Sequence, residues 1–295
     1  MNKQEKTGNK MNGILLISKP ANMTSRQVVD KIIKLTQTRK VGHTGTLDPI
    51  ATGVLVITIG KATKLTDVIT NLDKEYIAQV TLGIETDTLD ITGKIIKQEK
   101  VKIKKVKIEN NLKKMIGTYD QEVPIYSAVK INGKKLYEYA RHNQLIDLPK
   151  RTVTVKSLQL ISPVTYENDK TVFEIKCLVS KGTYIRSLIN DLAHSLNTIG
   201  TMSALKRTKQ GTFTLEECQT LEQIDMNKLI DLSTCLNEYY RVEMDEQLKK
   251  QIDNGQILAN KYKQNIVLFT YKQEAVALYK SYEKDNTKIK PWKMF

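Results

Sequence analysis

VGHTGTLDPIATGVLVITI, residues 41–59, sets a glycine-rich loop against a continuous apolar run. The run Val54 to Ile59 has the length of a buried strand. In the loop before it, Gly42, Gly45 and Gly53 permit positive φ and close backbone approach. Asp48 stands between Leu47 and Pro49, and the proline confines it to extended conformations. The pattern offers a carboxylate on a firmly held loop, a common place for function. On local chemistry alone, an aspartate that merely stabilises a turn is the stronger reading. No Gly-Lys-Ser/Thr follows at Walker spacing, so this is not a phosphate loop of that type.

Working outward, Gly13 to Ile17 form a second apolar run, stopped by Lys19-Pro20. Thr24 or Ser25 can cap a helix starting near Arg26, with Val28, Val29, Ile32, Ile33 and Leu35 as its apolar stripe. Residues 61–71 read as a short helix. From Tyr76 the pattern alternates, with Tyr76, Ala78, Val80 and Leu82 on one strand face. The lysine-rich stretch 97–114 reads as a solvated strand and helix face. Asn132-Gly133 marks a turn, with a short helix from Lys135. Residues 152–162 and 171–179 read as strands. The loop SKGT then leads into a helix whose apolar residues are Ile185, Leu188, Ile189, Leu192 and Leu196. Several strands follow one another directly, which favours a mixed or antiparallel sheet over a doubly wound parallel one.

The chain of 295 residues carries 47 Lys and Arg against 32 Asp and Glu, a net charge of +15. That balance suggests a polyanionic partner, nucleic acid first. The three cysteines, Cys177, Cys218 and Cys235, show no disulfide or zinc-ligand spacing and read as small buried apolar side chains. The polar start lacks a signal peptide's apolar core, and no run is long enough to span a bilayer, so a cytoplasmic location is expected. Residues 1–10 read as a mobile tail. After about Arg241 the runs Ile266–Phe269 and Ala275–Tyr279, joined by a tight polar turn, read as a small separate β module. The expected division is 1–10, 11–240 and 241–295.

SKGTYIR, residues 180–186, puts Arg186 in the first turn of a helix, where a cation opposes the helix dipole. A specific anionic partner would offset that, and the arginine fork suits a carboxylate. An ordinary surface arginine is equally compatible with the local sequence. Tyr76 alone reads as core packing with its hydroxyl toward water. His43 alone reads as a locally hydrogen-bonded histidine.

Taken together these stretches resemble the bacterial tRNA pseudouridine synthase family that modifies uridine 55, the TruB family. The resemblance runs from residue 11 to 215. It rests on GILLISKPANMTS (13–25), RKVGHTGTLDPIATGVLVITIGKATK (39–64), KEYIAQVTLGIETDTLDITG (74–93), YSAVKINGKKLYEYAR (126–141) and SKGTYIRSLINDLA (180–193). It implies a pseudouridine synthase fold, α/β (α+β), with a central mixed, largely antiparallel sheet flanked by helices and a C-terminal PUA-like RNA-binding module. A β-appendage that packs on the catalytic domain without touching RNA is the alternative for residues 241–295. The resemblance implies Asp48 as nucleophile, Tyr76 stacked on the target base and Arg186 paired with the catalytic carboxylate. It implies that His43 lies under the reorganised T loop, that Lys19 and Pro20 shape the pocket, and that Tyr184 and Leu205 line it. It implies tRNA, through its T arm, as partner, with no cofactor, no metal, no membrane and no guide RNA, and a monomer. A guide-RNA-dependent synthase and a non-catalytic RNA-binding protein are the alternatives. A metal-assisted hydrolase lacks a ligand cluster in the sequence.

Overall fold

The computed structural model describes residues 11–142 and 144–295; the expected tail 1–10 lies outside the described residues. Strands Gly13–Lys19 and Thr52–Ile59 pair antiparallel from Gly13↔Ile59 to Lys19↔Gly53. The pleat sends Leu15, Ile17, Leu55, Ile57 and Ile59 into one buried cluster, and Ile14, Leu16, Val54 and Val56 into another. Both faces are covered, which is why these runs show no polar alternation. Fully burying each such side chain is worth about 1.5–3 kcal/mol.

Helix Ser25–Thr36 is opened by Thr24, whose hydroxyl accepts from the Gln27 N–H while the Gln27 side chain accepts from the Thr24 N–H. This reciprocal box satisfies two otherwise orphaned donors. Its Val28, Val29 and Ile32 pack into the first cluster.

The main sheet runs in the order Ile230–Asp231, Gly13–Lys19, Thr52–Ile59, Gly200–Gln210, Lys74–Leu82, Lys170–Val179, Lys150–Leu160, Gly117–Glu122. Thr52–Ile59 and Gly200–Gln210 pair parallel, and the other neighbours in this order pair antiparallel. The mixed, largely antiparallel sheet is as expected. Helices Lys105–Lys114 and Ile185–Ser195 pack on one face, with Ile108, Leu112, Leu188, Ile189 and Leu192 in the first cluster. Strand Lys74–Leu82 buries Tyr76, Ala78, Val80 and Leu82, the face read from its alternation.

Local expectations differ at four places. Leu35, expected in the stripe of helix Ser25–Thr36, is exposed near that helix's end. Val41–His43, read as part of the glycine-rich loop, is a short strand paired with Ile57–Ile59, so the free loop is shorter. Residues 61–71 form a 3-10 turn, Gly60–Leu65, continued by helix Thr66–Thr70. Cys177 is buried, but Cys218 and Cys235 are only half-buried, because they sit where the connecting segments cover the second cluster.

The C-terminal sheet has the order Tyr240–Glu243, Ile266–Tyr271, Glu274–Tyr282, Asp285–Met294, Leu258–Ala259. Val267, Phe269, Ala277 and Tyr279 face a core of its own with Met244, Ile252 and Ile289. Leu268, Ala275 and Leu278 face the other way, into the cluster of Ile14, Leu16, Val54 and Val56. The module is therefore joined to the main sheet through shared core rather than set apart. Among the described residues no helix is long and apolar enough to cross a membrane.

Candidate active site

One row of paired residues crosses the middle of the sheet. Lys19 pairs with Gly53, Gly53 with Arg207, Arg207 with Tyr76, and Tyr76 with Cys177. The loop carrying Asp48 leaves this row on the Lys19 and Gly53 side.

That loop is pinned at three points. The Ser25 hydroxyl accepts from the Leu47 N–H at 2.9 Å and donates to the Leu47 carbonyl at 3.2 Å. The Ala51 N–H donates to the Asp48 carbonyl at 3.0 Å, closing a turn with Asp48 first and Pro49 second. The Lys19 ammonium donates to the carbonyls of Pro20 at 2.8 Å, Met23 at 2.6 Å and Pro49 at 3.3 Å. The backbone of Asp48 thus starts a turn, as its local sequence suggests, and leaves its side chain for another task. Lys19 is 0% exposed. Burial pulls its ammonium down to about 8, with the Asp48 carboxylate opposing and Arg207 reinforcing.

Arg186 is delivered by helix Ile185–Ser195, whose first turn is fastened to strand Gly117–Glu122. The Gln121 side chain accepts from the Tyr184 N–H at 2.8 Å and donates to the Tyr184 carbonyl at 3.2 Å. The Ser187 hydroxyl donates to the Glu122 carbonyl at 2.8 Å. Arg186 Nε lies 3.0 Å from Asp48 Oδ2, and Nη2 donates to Oδ1 at 3.3 Å. The rest of the guanidinium donates to the carbonyls of Thr88 at 2.9 Å and Tyr126 at 3.0 Å, with Asp90 Oδ2 3.8 Å from Nη1. These partners offset both the unfavourable helix dipole and the removal of the cation from water. The Arg186 side chain is 6% exposed and that of Asp48 35%. The cation is locked in the protein while the carboxylate keeps an open face.

That face looks into a cleft of ≈ 400 Å³ whose wall includes Tyr76, Tyr126, Tyr184, Leu205 and Arg207. Burial raises the Tyr76 phenol above its ordinary value; the nearby Arg207 charge opposes this. The ring is thus a neutral aromatic surface beside the carboxylate. Arg207, 1% exposed, donates from Nε to the Val54 carbonyl at 2.7 Å and from Nη2 to the Gly45 carbonyl at 3.0 Å, tying the loop to the strand.

Of the residues singled out from the sequence, the structure brings Asp48, Tyr76, Arg186, Tyr184 and Leu205 around one cleft. Lys19, Pro20 and His43 stand beside it, outside its wall. Lys19 acts on the loop's backbone. His43 Nδ1 accepts from the Gly45 N–H at 3.3 Å. Burial, helped by Arg207 and Arg26, lowers the His43 pKa, which keeps the ring neutral at pH 7 and suited to that bond. Arg207, Lys74, Ser127 and Tyr137, not among the expected site residues, also line the cleft. Lys74 donates to the carbonyls of Thr70 and Leu72 at 2.9 and 2.8 Å, and burial, then Arg207, pulls it down to about 8. Arg207 carries no local signal, because its partners at Val54 and Gly45 are distant in sequence. Among the described residues, no group of three or more His, Cys, Asp or Glu side chains could hold a metal ion.

A carboxylate held in an arginine fork, open to an aromatic-walled cleft, can serve as a nucleophile toward a planar substrate. The model of the family described as "TruB family pseudouridylate synthase (N terminal domain)" matches residues 33–185. The chain belongs to the TruB family. Among curated relatives in this family, "tRNA pseudouridine synthase B" of Bacillus velezensis is 38% identical over 96% of this chain and 97% of the relative. The protein of that name from Bacillus pumilus is 41% identical over 84% of each chain. Among solved structures, a Cbf5-Nop10-Gar1 complex matches with TM-score 0.67 and 25% identity, covering 91% of this chain and 78% of the other. An H/ACA RNP bound to a substrate RNA containing 2'-deoxyuridine matches with TM-score 0.68 and 23% identity, covering 96% and 84%. The second likeness speaks to the TruB fold alone.

Proposed function

We propose that this pseudouridylate synthase isomerises uridine 55 in the T loop of tRNA, with Asp48 as nucleophile. The observation that carries the reading is the two-point contact of Arg186 with Asp48 at the mouth of a cleft walled by Tyr76. Family membership supplies the reaction class, and the tRNA enzymes among its relatives supply the substrate.

The reaction detaches uracil from its ribose, turns it and rejoins it through carbon, with no net redox change. Asp48 either bonds covalently to the substrate or starts elimination at the sugar; both routes use an ionised carboxylate. A base stacked within folded tRNA must be flipped out to reach it. Tyr76 is the platform for the flipped ring, Tyr184 and Leu205 complete the pocket, and no cofactor takes part. His43 supports the displaced T-loop nucleotides, while Lys19 and Pro20 hold the loop that presents Asp48. The +15 net charge suits the phosphates of the T arm.

Residues 11–240 are the catalytic domain and 241–295 a PUA-like RNA-binding module. The protein works in the cytoplasm as a monomer without a guide RNA. The test is to incubate purified protein with an unmodified tRNA transcript and a chelator, then map pseudouridine at single-nucleotide resolution. Conversion at the T-loop uridine is expected. Conversion only after addition of a guide RNA would replace this reading with the guided one.

A further inference from the structure

The segment 123–128 contributes Tyr126, Ser127 and Ala128 to the cleft wall, and the proposed chemistry uses none of them. Its position is fixed largely through backbone groups, with the Tyr126 hydroxyl donating to Asp87 Oδ2 at 3.3 Å. The Tyr126 carbonyl accepts from Arg186 Nη2 at 3.0 Å, the Ser127 N–H donates to the Ile125 carbonyl at 3.0 Å, and the Ser127 carbonyl accepts from the Tyr137 N–H at 3.3 Å. The same arginine that grips the nucleophile therefore sets the placement of Ser127.

Ser127 is 6% exposed and lines the cleft, and its Oγ is buried without a hydrogen-bond partner. A buried hydroxyl with its bond unmade is destabilising, and native proteins tolerate few of them. An unmade bond on a residue that lines an open pocket has a ready explanation in the ligand. We infer that Ser127 is a base-recognition residue, its hydroxyl bonding the polar edge of the flipped uracil. This rests on the pseudouridine synthase reading given above.

The chemistry fits on both sides. A serine hydroxyl is one donor and two acceptors and turns to suit its partner. Uracil presents two ring carbonyls and one imide N–H, all on its rim, leaving its faces free for stacking. Tyr76 supplies a face and Ser127 an edge contact, so the two act on different parts of one ring. The nucleotide thereby completes a bond that the free protein lacks.

The test uses T-arm stem-loop RNAs with either uridine or an abasic ribose at the target position. Binding is measured in the Asp48→Asn background, which leaves the RNA unreacted, with and without Ser127→Ala. Loss of one neutral hydrogen bond should weaken binding of the uridine RNA about tenfold and leave the abasic RNA unchanged. Thermal melting should be unchanged or raised, since the substitution deletes an unsatisfied buried group; a structural serine would lower it. Equal weakening on both RNAs, or none on either, would overturn the assignment. A wild-type protein that converts uridine while Ser127→Ala behaves like it would reject the role of Ser127 alone. A wild-type protein inactive on every RNA would reject the functional reading beneath it.

Discussion

Gly53 and Arg207 meet so closely in the parallel strand pair that a Cβ on Gly53 would stand 2.2 Å from the Arg207 carbonyl oxygen. The φ of Gly53 is +99°, a conformation side chains rarely adopt. Gly53→Ala must therefore push the two strands apart. Because Arg207 pairs onward with Tyr76, the displacement reaches the cleft. The expected loss is about 2 kcal/mol or more of stability, from overpacking and strain together. Chemical denaturation checks it, and a variant as stable as wild type would show that the strands can separate freely there.

Arg186→Lys keeps the charge and removes the fork. Lysine cannot serve both oxygens of Asp48 and also the carbonyls of Thr88 and Tyr126. Single-turnover conversion of tRNA should fall about 100-fold or more, as misplacement of a reacting group typically costs. A wild-type rate would mean that Arg186 serves only the fold.

Asp48→Asn should abolish conversion while tRNA still binds. The Asp48 backbone, not its carboxylate, closes the turn with Ala51, so the loop survives the change. Near-normal turnover in a single-turnover assay would remove Asp48 from the chemistry.

Much of this arrangement was legible in the sequence, and the exceptions have a common cause. The continuous runs of Gly13–Lys19 and Thr52–Ile59 announce strands covered on both faces, and the alternation from Tyr76 announces its buried side. Strand Gly200–Gln210, at the heart of the sheet, gave no such signal. Register shifts between Met202 and Ala204 and between Arg207 and Lys209 break its period of two. Its buried positions include Arg207 and Gln210, which look solvated when read locally. Their donors are met by distant groups: Val54 and Gly45 for Arg207, Thr44 and Ile69 for Gln210 Nε2. The Asp48 loop is marked by its glycines and proline, but its clamp through Ser25 spans too much chain for local patterns to reveal.

Lys19 and Lys74 each sit at about 8 in the folded protein, against 10.5 for a freely solvated lysine. Between those values the unfolded chain holds protons that the folded chain has released. Stability contributed by these groups therefore rises with pH across the window. Lys19→Met removes one of them and should flatten the slope by up to about 1.4 kcal/mol per pH unit. Urea unfolding at intervals from roughly pH 8 to 10 gives the slopes. Identical slopes in the two proteins would show that Lys19 titrates as an exposed side chain.

Truncation before residue 241 is a poor test of the C-terminal module. Leu268, Ala275 and Leu278 cover the same cluster as Ile14, Leu16, Val54 and Val56, so their removal exposes the back of the main sheet. Charge reversal on the module's surface keeps that core. Lys261 and Lys272 are exposed, and their ammonium groups lie over the rings of Tyr262 and Tyr271. Such pairs of cation and aromatic ring suit RNA phosphates and bases. Lys261→Glu with Lys272→Glu should weaken tRNA binding and reduce the salt dependence by about two counterions. The conversion rate at saturating enzyme should hold, because neither lysine lines the cleft beside Asp48. An unchanged binding constant with an unchanged salt slope would leave the module as cover for the sheet alone.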